Sequence, residues 1–271
     1  MKLVNIKKTV VNIGGSFILL LSLFGVVTTA QAAVIKTDIV MIVDESGSMG
    51  SVQTNLRNNI GLFASILTAG GVDANFALVG YGNSAVVPRV LTDFTSASDF
   101  AVAAGNLVAS GGTEPAFDAS GFALNQPLVN YGAIAVEANL SFRTDAVSNL
   151  ILFTDEDSNG DRDFDASGVD SLLKQANALF NVVLDFAYPE LVDLAVNNGG
   201  QMFDLSLMNS TDQTVVEQFV TDFANEKLQE TLDFCATNPN DPACQNVSVP
   251  EPAVVILFGA GILLLMRVRR H

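Results

Sequence analysis

Short, largely apolar runs recur along the chain and are separated by segments of helical periodicity. Such runs are typical of strands that are buried on both faces of a parallel sheet. They occur at 39–43, 76–79, 150–153 and 182–186, with a weaker one at 202–205. The pattern predicts five strands.

Apolar residues spaced three or four positions apart predict helices between these runs. They fall into three groups: Leu56, Ile60, Phe63 and Leu67; Leu172, Leu173 and Leu179; and Val216, Phe219, Val220 and Phe223. A further helix is predicted over 116–124, after a glycine-containing loop. Strands that alternate with helices indicate an α/β fold, in which a doubly wound and mostly parallel sheet carries helices on both faces.

One domain over 34–231 accounts for these elements. No internal repeat of 20–50 residues is visible, and the polar segment 126–149 is interpreted as a connection within this domain.

The first 32 residues are typical of a secretory signal peptide. Lys2, Lys7 and Lys8 precede an apolar run at 17–27, and small residues follow, so cleavage is predicted between Ala32 and Ala33. A retained N-terminal membrane anchor is the alternative.

Residues 250–271 consist of Pro250-Glu251-Pro252, an apolar stretch at 253–266 and a basic end with Arg267, Arg269 and Arg270. This order resembles the PEP-CTERM sorting signal that exosortase-type membrane peptidases recognise in Gram-negative bacteria. The resemblance implies export to the cell surface or extracellular matrix, with the C-terminal segment anchored in the inner membrane until it is processed. A plain single-pass anchor is the alternative.

The basic residues of the two terminal segments make the net charge of the whole chain less negative than that of its central segment. The chain has 13 Lys and Arg against 29 Asp and Glu, a formal net charge of −16. Six of the basic residues and one acidic residue lie in the ends, so 33–248 has 7 basic and 28 acidic residues and a net charge of −21. This charge argues against a nucleic-acid binder that neutralises phosphates.

The small numbers of His and Cys residues also limit the kinds of catalytic and metal site that the chain can form. The single His is the last residue, His271, and the chain has two Cys. Catalysis by an internal His and a zinc site rich in His or Cys are both excluded. In an oxidising compartment Cys235 and Cys244 are expected to form a disulfide, which closes a loop within 232–249 before a short stalk.

Oxygen-bearing side chains follow two of the predicted strands. Asp44, Ser46 and Ser48 come after the run 39–43, and Asp155 comes after the run 150–153. Thr113 lies in the loop Gly-Gly-Thr-Glu-Pro at 111–115, which opens the helix 116–124. Ligands of open α/β sheets bind at the carboxyl ends of strands, so these residues are expected to converge there.

These five residues, in this order, resemble the metal-ion-dependent adhesion site of von Willebrand factor type A domains. Their hydroxyl and carboxylate oxygens suit a hard divalent cation, with Mg²⁺ or Mn²⁺ preferred to Ca²⁺. The alternative is that Ser46, Ser48 and Thr113 cap the helices that follow them. Neighbouring Glu45 and Glu114 are expected to face solvent or cap helices.

The resemblance implies that the cation accepts a carboxylate from an external ligand. It also implies that Thr113 and Asp155 exchange direct and water-mediated contact as the last helix, near 215–229, moves. The sequence itself does not show such a switch.

A second acidic cluster follows Asp155. Its oxygens are spaced like those of a calcium loop, and Asp157, Asn159, Asp161 and Asp163 form a possible second calcium site. Ala166 stands where such a loop ends in Glu, and the alternative of a solvated acidic loop is preferred.

Three classes of function are compatible with this sequence. The expected one is an exported adhesion module, in which the cation bridges to a protein or an acidic polysaccharide. The alternative is a structural component of the extracellular polymer without a specific partner. An enzyme that uses the metal as a Lewis acid is not expected, because no nucleophile–base pair accompanies the site.

Overall fold

The computed structural model describes residues 34–245. Six strands lie in this range: β1 (Ile35–Asp44), β2 (Val72–Tyr81), β3 (Arg89–Thr95), β4 (Val147–Thr154), β5 (Leu179–Leu184) and β6 (Met202–Asp204). The same range contains seven α-helices: α1 (Gly50–Ala69), α2 (Ala97–Ala104), α3 (Ala116–Ala123), α4 (Ala166–Ala176), α5 (Pro189–Asn197), α6 (Leu205–Met208) and α7 (Gln213–Thr237). A 3₁₀ turn, Gly47–Met49, leads into α1.

The strands form one sheet in the order β3-β2-β1-β4-β5-β6. Every neighbouring pair is parallel except β2 with β3, which is antiparallel. The predicted α/β fold with a mostly parallel sheet is confirmed. The chain winds outward from β1 in both directions, so the switch point lies between the carboxyl ends of β1 and β4.

Helices cover both faces of the sheet, because the strand side chains alternate between two cores. Ile39, Met41 and Val43 of β1 pack in a core that includes residues of α1, α2, α6 and α7. Val40 and Ile42 pack in a second core with residues of α3, α4 and α5. Burial on both faces explains why β1 has no alternation of polar and apolar residues.

Two helix and strand boundaries differ from the sequence prediction. Leu179 was predicted on a helix with Leu172 and Leu173, but it is the first residue of β5. Asn177 adopts a left-handed conformation (φ 49°) and ends α4, so Leu179 lies beyond the turn. The strand predicted at 182–186 is shifted towards the N-terminus, and Phe186 lies beyond it with 67% of its surface exposed.

Strand β3 was not predicted. It lies at the edge of the sheet, its residues are half-buried or exposed, and it therefore lacks an apolar run. The residues 126–146 that precede β4 contain one isolated bridge, between Leu128 and Val136. Arg143 attaches this segment to the start of the sheet by hydrogen bonds to Asp38.

Residues Ala33–Val249 form one compact unit, and the complete sheet and both cores lie within it. A disulfide joins Cys235 near the end of α7 to Cys244 in the following turn. The predicted signal peptide, with its cleavage site at Ala32 and Ala33, and the predicted sorting segment 250–271 lie outside the described residues. Between residues 34 and 245, the helices are too short or too polar to cross a bilayer.

Candidate metal centre

Three acidic side chains meet at the switch point of the sheet. Asp44 ends β1, Asp155 directly follows β4, and Glu114 lies in the loop before α3. Each offers a carboxylate oxygen, and these oxygens lie within 4.8 Å of one another. Among residues 34–245, no other group of three or more His, Cys, Asp or Glu meets this criterion.

Asp44 is fully buried and held by its neighbours. Its Oδ1 accepts a hydrogen bond from the Ser46 amide at 2.6 Å, and its Oδ2 accepts one from Thr154 Oγ1 at 3.2 Å. Burial raises the pKa of Asp44 because it disfavours the charged form, and the nearby charge of Asp155 adds to this effect. The carboxylate is therefore fixed in place but is not neutralised by these contacts.

Ser46 and Ser48 lie on the turn that follows Asp44, with their Oγ atoms 3.1 Å apart. Ser46 is buried and Ser48 is exposed. Ser46 precedes the 3₁₀ turn and Met49 precedes α1, and neither end has a side-chain capping bond. The two hydroxyls therefore do not cap these helices, which leaves them free to take part in a site.

Thr113 is half-buried, and its methyl group faces Gly160: a Cβ on that glycine would lie 2.5 Å from Thr113 Cγ2. Ser158, rather than Thr113, caps α3. Its Oγ accepts hydrogen bonds from the amides of Ala116 at 2.9 Å and Phe117 at 3.1 Å. The alternative role proposed for Thr113 as a helix cap is therefore wrong.

Glu114 was expected to face solvent or cap a helix, and this expectation is wrong. Its residue exposure is 1%, and neither of its carboxylate oxygens has a hydrogen-bond partner in the described structure. Burial raises the pKa of Glu114, and the charges of Asp44, Glu156 and Asp155 raise it further, while nearby Ser46 opposes the rise in part. Glu114 therefore adds an uncompensated carboxylate to the site.

Glu45 is also buried, contrary to expectation, but its charge is balanced within the chain. Arg89 contacts both carboxylate oxygens, with Nε 3.0 Å from Oε2 and Nη2 2.5 Å from Oε1. The side chain of Asn83 and the amide of Val108 donate further hydrogen bonds. Glu45 therefore fixes the loops around the site.

The loops approach closely because two glycines lie between them. Gly82 has φ +79°, and a Cβ there would lie 2.9 Å from Asp44 Oδ1 and 3.3 Å from Glu114 Cγ. Gly111 has φ +127°, and a Cβ there would lie 2.3 Å from the carbonyl oxygen of Gly82. Side chains at these positions would force the carboxylates apart.

The donor set fits a divalent cation. Both Glu114 oxygens and Asp155 Oδ1 are buried without a hydrogen-bond partner in the described structure, and they lie beside the buried carboxylate of Asp44. Carboxylates that are buried close together destabilise a fold unless a positive charge compensates them. Hard oxygen ligands of this kind are those that Mg²⁺ and Ca²⁺ prefer.

The residues of the predicted second calcium site accept hydrogen bonds from different parts of the chain. This site stays a prediction. Asp161 accepts hydrogen bonds from the Asp118 amide and from Ser158 Oγ. Asp163 accepts from the amides of 129 and 130, and Asn159 Oδ1 accepts from the amide of Glu114. Asp157 is exposed, and its Oδ1 accepts from the next amide along the chain.

A doubly wound sheet with carboxylates and hydroxyls at its switch point defines an α/β domain with a candidate cation site. The family model of the von Willebrand factor type A domain matches residues 38–233. The chain belongs to this family, and the predicted resemblance to a von Willebrand factor type A domain is confirmed.

Among solved structures, the chain is similar to proximal thread matrix protein 1 from the mussel byssus, with a TM-score of 0.50 and 17% sequence identity. The match covers 71% of this chain and 46% of the mussel chain, so this chain spans about half the length of that protein. This likeness concerns the fold alone. A search of curated protein sequences found no match.

Proposed function

We propose that the protein is an exported interaction module that binds a divalent cation and uses it to bind an external carboxylate. The observation that supports this function is that three buried or half-buried carboxylates meet at the carboxyl ends of β1 and β4 without a basic partner among the described residues. The proposed ligands of the cation are Asp44, Ser46, Ser48, Thr113 and Asp155. Mg²⁺ is the preferred ion, and Mn²⁺ and Ca²⁺ are the alternatives.

The proposed ligands that follow β1 are already positioned by contacts within the chain. Asp44 is held in position by Ser46 and Thr154, and the Ser46 and Ser48 hydroxyls lie side by side next to it. When bound, the cation would supply the positive charge that attracts an acidic group. The proposed partner is therefore a protein with an accessible Asp or Glu, or an acidic polysaccharide.

We also propose that this module acts outside the cytoplasm. The arguments are the signal-like segment 1–32, the PEP-CTERM-like segment 250–271 with its exosortase-type processing, and the cysteine pair that bonds in the structure. The chain would be held transiently in the inner membrane and would then reach the cell surface or matrix. We propose binding rather than catalysis, because the sequence offers no internal His to act as a base.

Calorimetric titration of Mg²⁺ into the compact unit 33–249 tests the cation site. We expect one Mg²⁺ to bind, and we expect Asp155→Ala to weaken binding by about 10- to 100-fold or more, since loss of even an outer-shell partner has an effect of that size. Asp193→Ala is the matched control, because it removes an exposed carboxylate of α5 that belongs to neither candidate cation site, and it is expected to leave the affinity unchanged. Equal affinity in the wild type and Asp155→Ala would rule out the assignment.

Binding to alginate, a polymer of uronic acids, tests the polysaccharide form of the proposal, with neutral dextran as the control polymer. We expect binding to alginate that requires Mg²⁺ and is abolished by EDTA and by Asp155→Ala. Cation binding without binding to any carboxylate-bearing probe, including an acidic peptide, would favour the structural-component alternative.

A further inference from the structure

Glu45 and Glu114 are both buried acidic residues beside the proposed cation site, but their surroundings differ. Arg89, Asn83 and Val108 all donate hydrogen bonds to the Glu45 carboxylate. Glu114 has an exposure of 1% and receives no such bond at either oxygen from the described residues. The buried carboxyl group of Glu114 therefore lacks a partner among the described residues.

The position of Glu114 is fixed by contacts from two other segments. Its amide donates to Asn159 Oδ1 at 3.2 Å, and its carbonyl accepts from the Asn159 amide at 3.0 Å. Gly82 leaves just enough room for the side chain, since a Cβ there would lie 3.3 Å from Glu114 Cγ. These contacts hold the Glu114 carboxylate beside those of Asp44 and Asp155.

We propose that Glu114 is an internal ligand of the cation, and that its carboxylate takes the position that an external carboxylate would otherwise occupy. This inference rests on the proposed cation site and goes beyond it, because the resemblance assigns no role to Glu114. The described conformation is therefore a closed form of the site, which a single acetate does not open, whereas a polymer with many carboxylates, such as alginate, opens it by displacing the Glu114 carboxylate.

The charge of the site supports this assignment. A bound divalent cation would favour the ionised form of Asp44, Glu114 and Asp155, and these three negative charges would leave the occupied site with a net charge of −1. An incoming carboxylate would then be repelled rather than attracted. Without the charge of Glu114 the same site is neutral overall, and an acidic ligand can complete the coordination of the cation.

Glu114→Gln in the unit 33–249 tests the metal part of the inference through stability. In EDTA we expect the variant to be at least as stable as the wild type, because burial and the neighbouring carboxylates disfavour the charged form of Glu114 and glutamine has no charge. With saturating Mg²⁺ we expect a smaller gain in melting temperature than the wild type shows, and a dissociation constant about 10- to 100-fold higher.

Asp38→Asn is the matched control, because it changes a buried acidic residue that Arg143 already neutralises, at the end of β1 away from the site. It is expected to lower the melting temperature both in EDTA and in Mg²⁺, and to leave the Mg²⁺-induced gain unchanged. If Glu114→Gln behaves in the same way as Asp38→Asn, Glu114 is a structural residue and the inference is wrong.

Water-proton relaxation by bound Mn²⁺ tests the competition with external ligands, with acetate as the probe. Glu114→Ala is expected to raise the relaxivity, because water takes the vacated position, and acetate should then lower it in a saturable manner. In the wild type acetate should have little effect. Equal relaxivity in both proteins, or an equal response to acetate, would overturn the inference.

These outcomes are separable from those of the proposed function. If Asp155→Ala binds Mg²⁺ as well as the wild type, the proposed cation site fails. If Asp155→Ala loses Mg²⁺ while Glu114→Gln and Glu114→Ala retain the wild-type behaviour, the site stands and the role of Glu114 fails.

Discussion

The two ends of β1 handle a buried negative charge in opposite ways. Near its start, Asp38 is fully buried and accepts hydrogen bonds from the Arg143 amide at 2.6 Å and from Arg143 Nε at 2.7 Å. At its end, Asp44 is equally buried but faces the carboxylates of Glu114 and Asp155. One strand therefore has a neutralised end and an acidic end.

The difference shows at which end of β1 the chain itself compensates the buried carboxylate and at which end a ligand is needed. At the start of β1, Arg143 both balances a charge and attaches the segment 126–146 to the sheet. At the end of β1, Arg89 is bonded to Glu45. The remaining carboxylates have no basic partner among the described residues, and a cation is the compensation that their oxygens suit best.

The largest effect is expected from Arg143→Ala, which removes the compensation at the start of β1. Breaking a buried pair leaves Asp38 charged and without its partner, so the free energy of unfolding should fall by about 3–5 kcal/mol. Urea denaturation of the unit 33–249 measures this loss, and Mg²⁺ affinity should not change. Lys36→Ala is the control, because Lys36 forms an exposed pair with Asp145 and should cost about 1 kcal/mol or less. Similar losses in the two variants would contradict the comparison.

An intermediate effect is expected at the acidic end from Ser158→Ala. Ser158 caps α3, which directly follows the loop that carries Glu114, so its loss should cost about 1 kcal/mol of stability and also weaken Mg²⁺ binding. Denaturation and calorimetry measure the two quantities. Ser96→Ala removes the side-chain cap of α2 and should cost a similar amount without affecting Mg²⁺. A loss of Mg²⁺ affinity in Ser96→Ala as well would show that the effect is not local.

The smallest effect on stability is expected at Lys227, a second buried charge that is paired within the chain. It is fully buried against Glu230, and burial lowers its pKa although Glu230 opposes this. The unfolded chain binds this proton more tightly, so the folded state gains stability as the pH rises through the window between the lowered pKa and 10.5.

Unfolding free energies of the wild type and Lys227→Met between about pH 8 and pH 10 measure this effect. The difference should shift in favour of the wild type as the pH rises. Lys174→Met, which removes an exposed lysine paired with Asp170, should show no comparable shift. A constant difference between the wild type and Lys227→Met would mean that the folded state does not alter this titration.

The central part of the fold could be predicted from the sequence because burial there is two-sided. Strands β1, β2 and β4 lie inside the sheet and therefore contain continuous apolar runs. Strand β3 escaped prediction because an edge strand pairs on one side and needs no such run. Leu179 was misassigned because a helical spacing of apolar residues continued, by coincidence, across the turn at Asn177.

The candidate site was predictable in part for a related reason. Asp44 and Asp155 directly follow apolar runs, so their place at the edge of the sheet follows from the chain itself. The burial of Glu114 depends on Asn159 and Gly82, which come from distant segments, and the same holds for Ser158 as the cap of α3. Local sequence patterns do not predict contacts between segments that are distant in the chain.

The edges of the sheet have a consequence for behaviour at high concentration. An open edge strand offers unpaired amides and carbonyls to a strand from another copy, which is a common route to fibres. Here β6 has three residues, and β3 pairs with β2 through register shifts at Phe76/Leu78 and Leu78/Val79. Such short or irregular edges make poor templates, and like charge keeps copies apart. We therefore expect the unit 33–249 to resist aggregation when it is crowded.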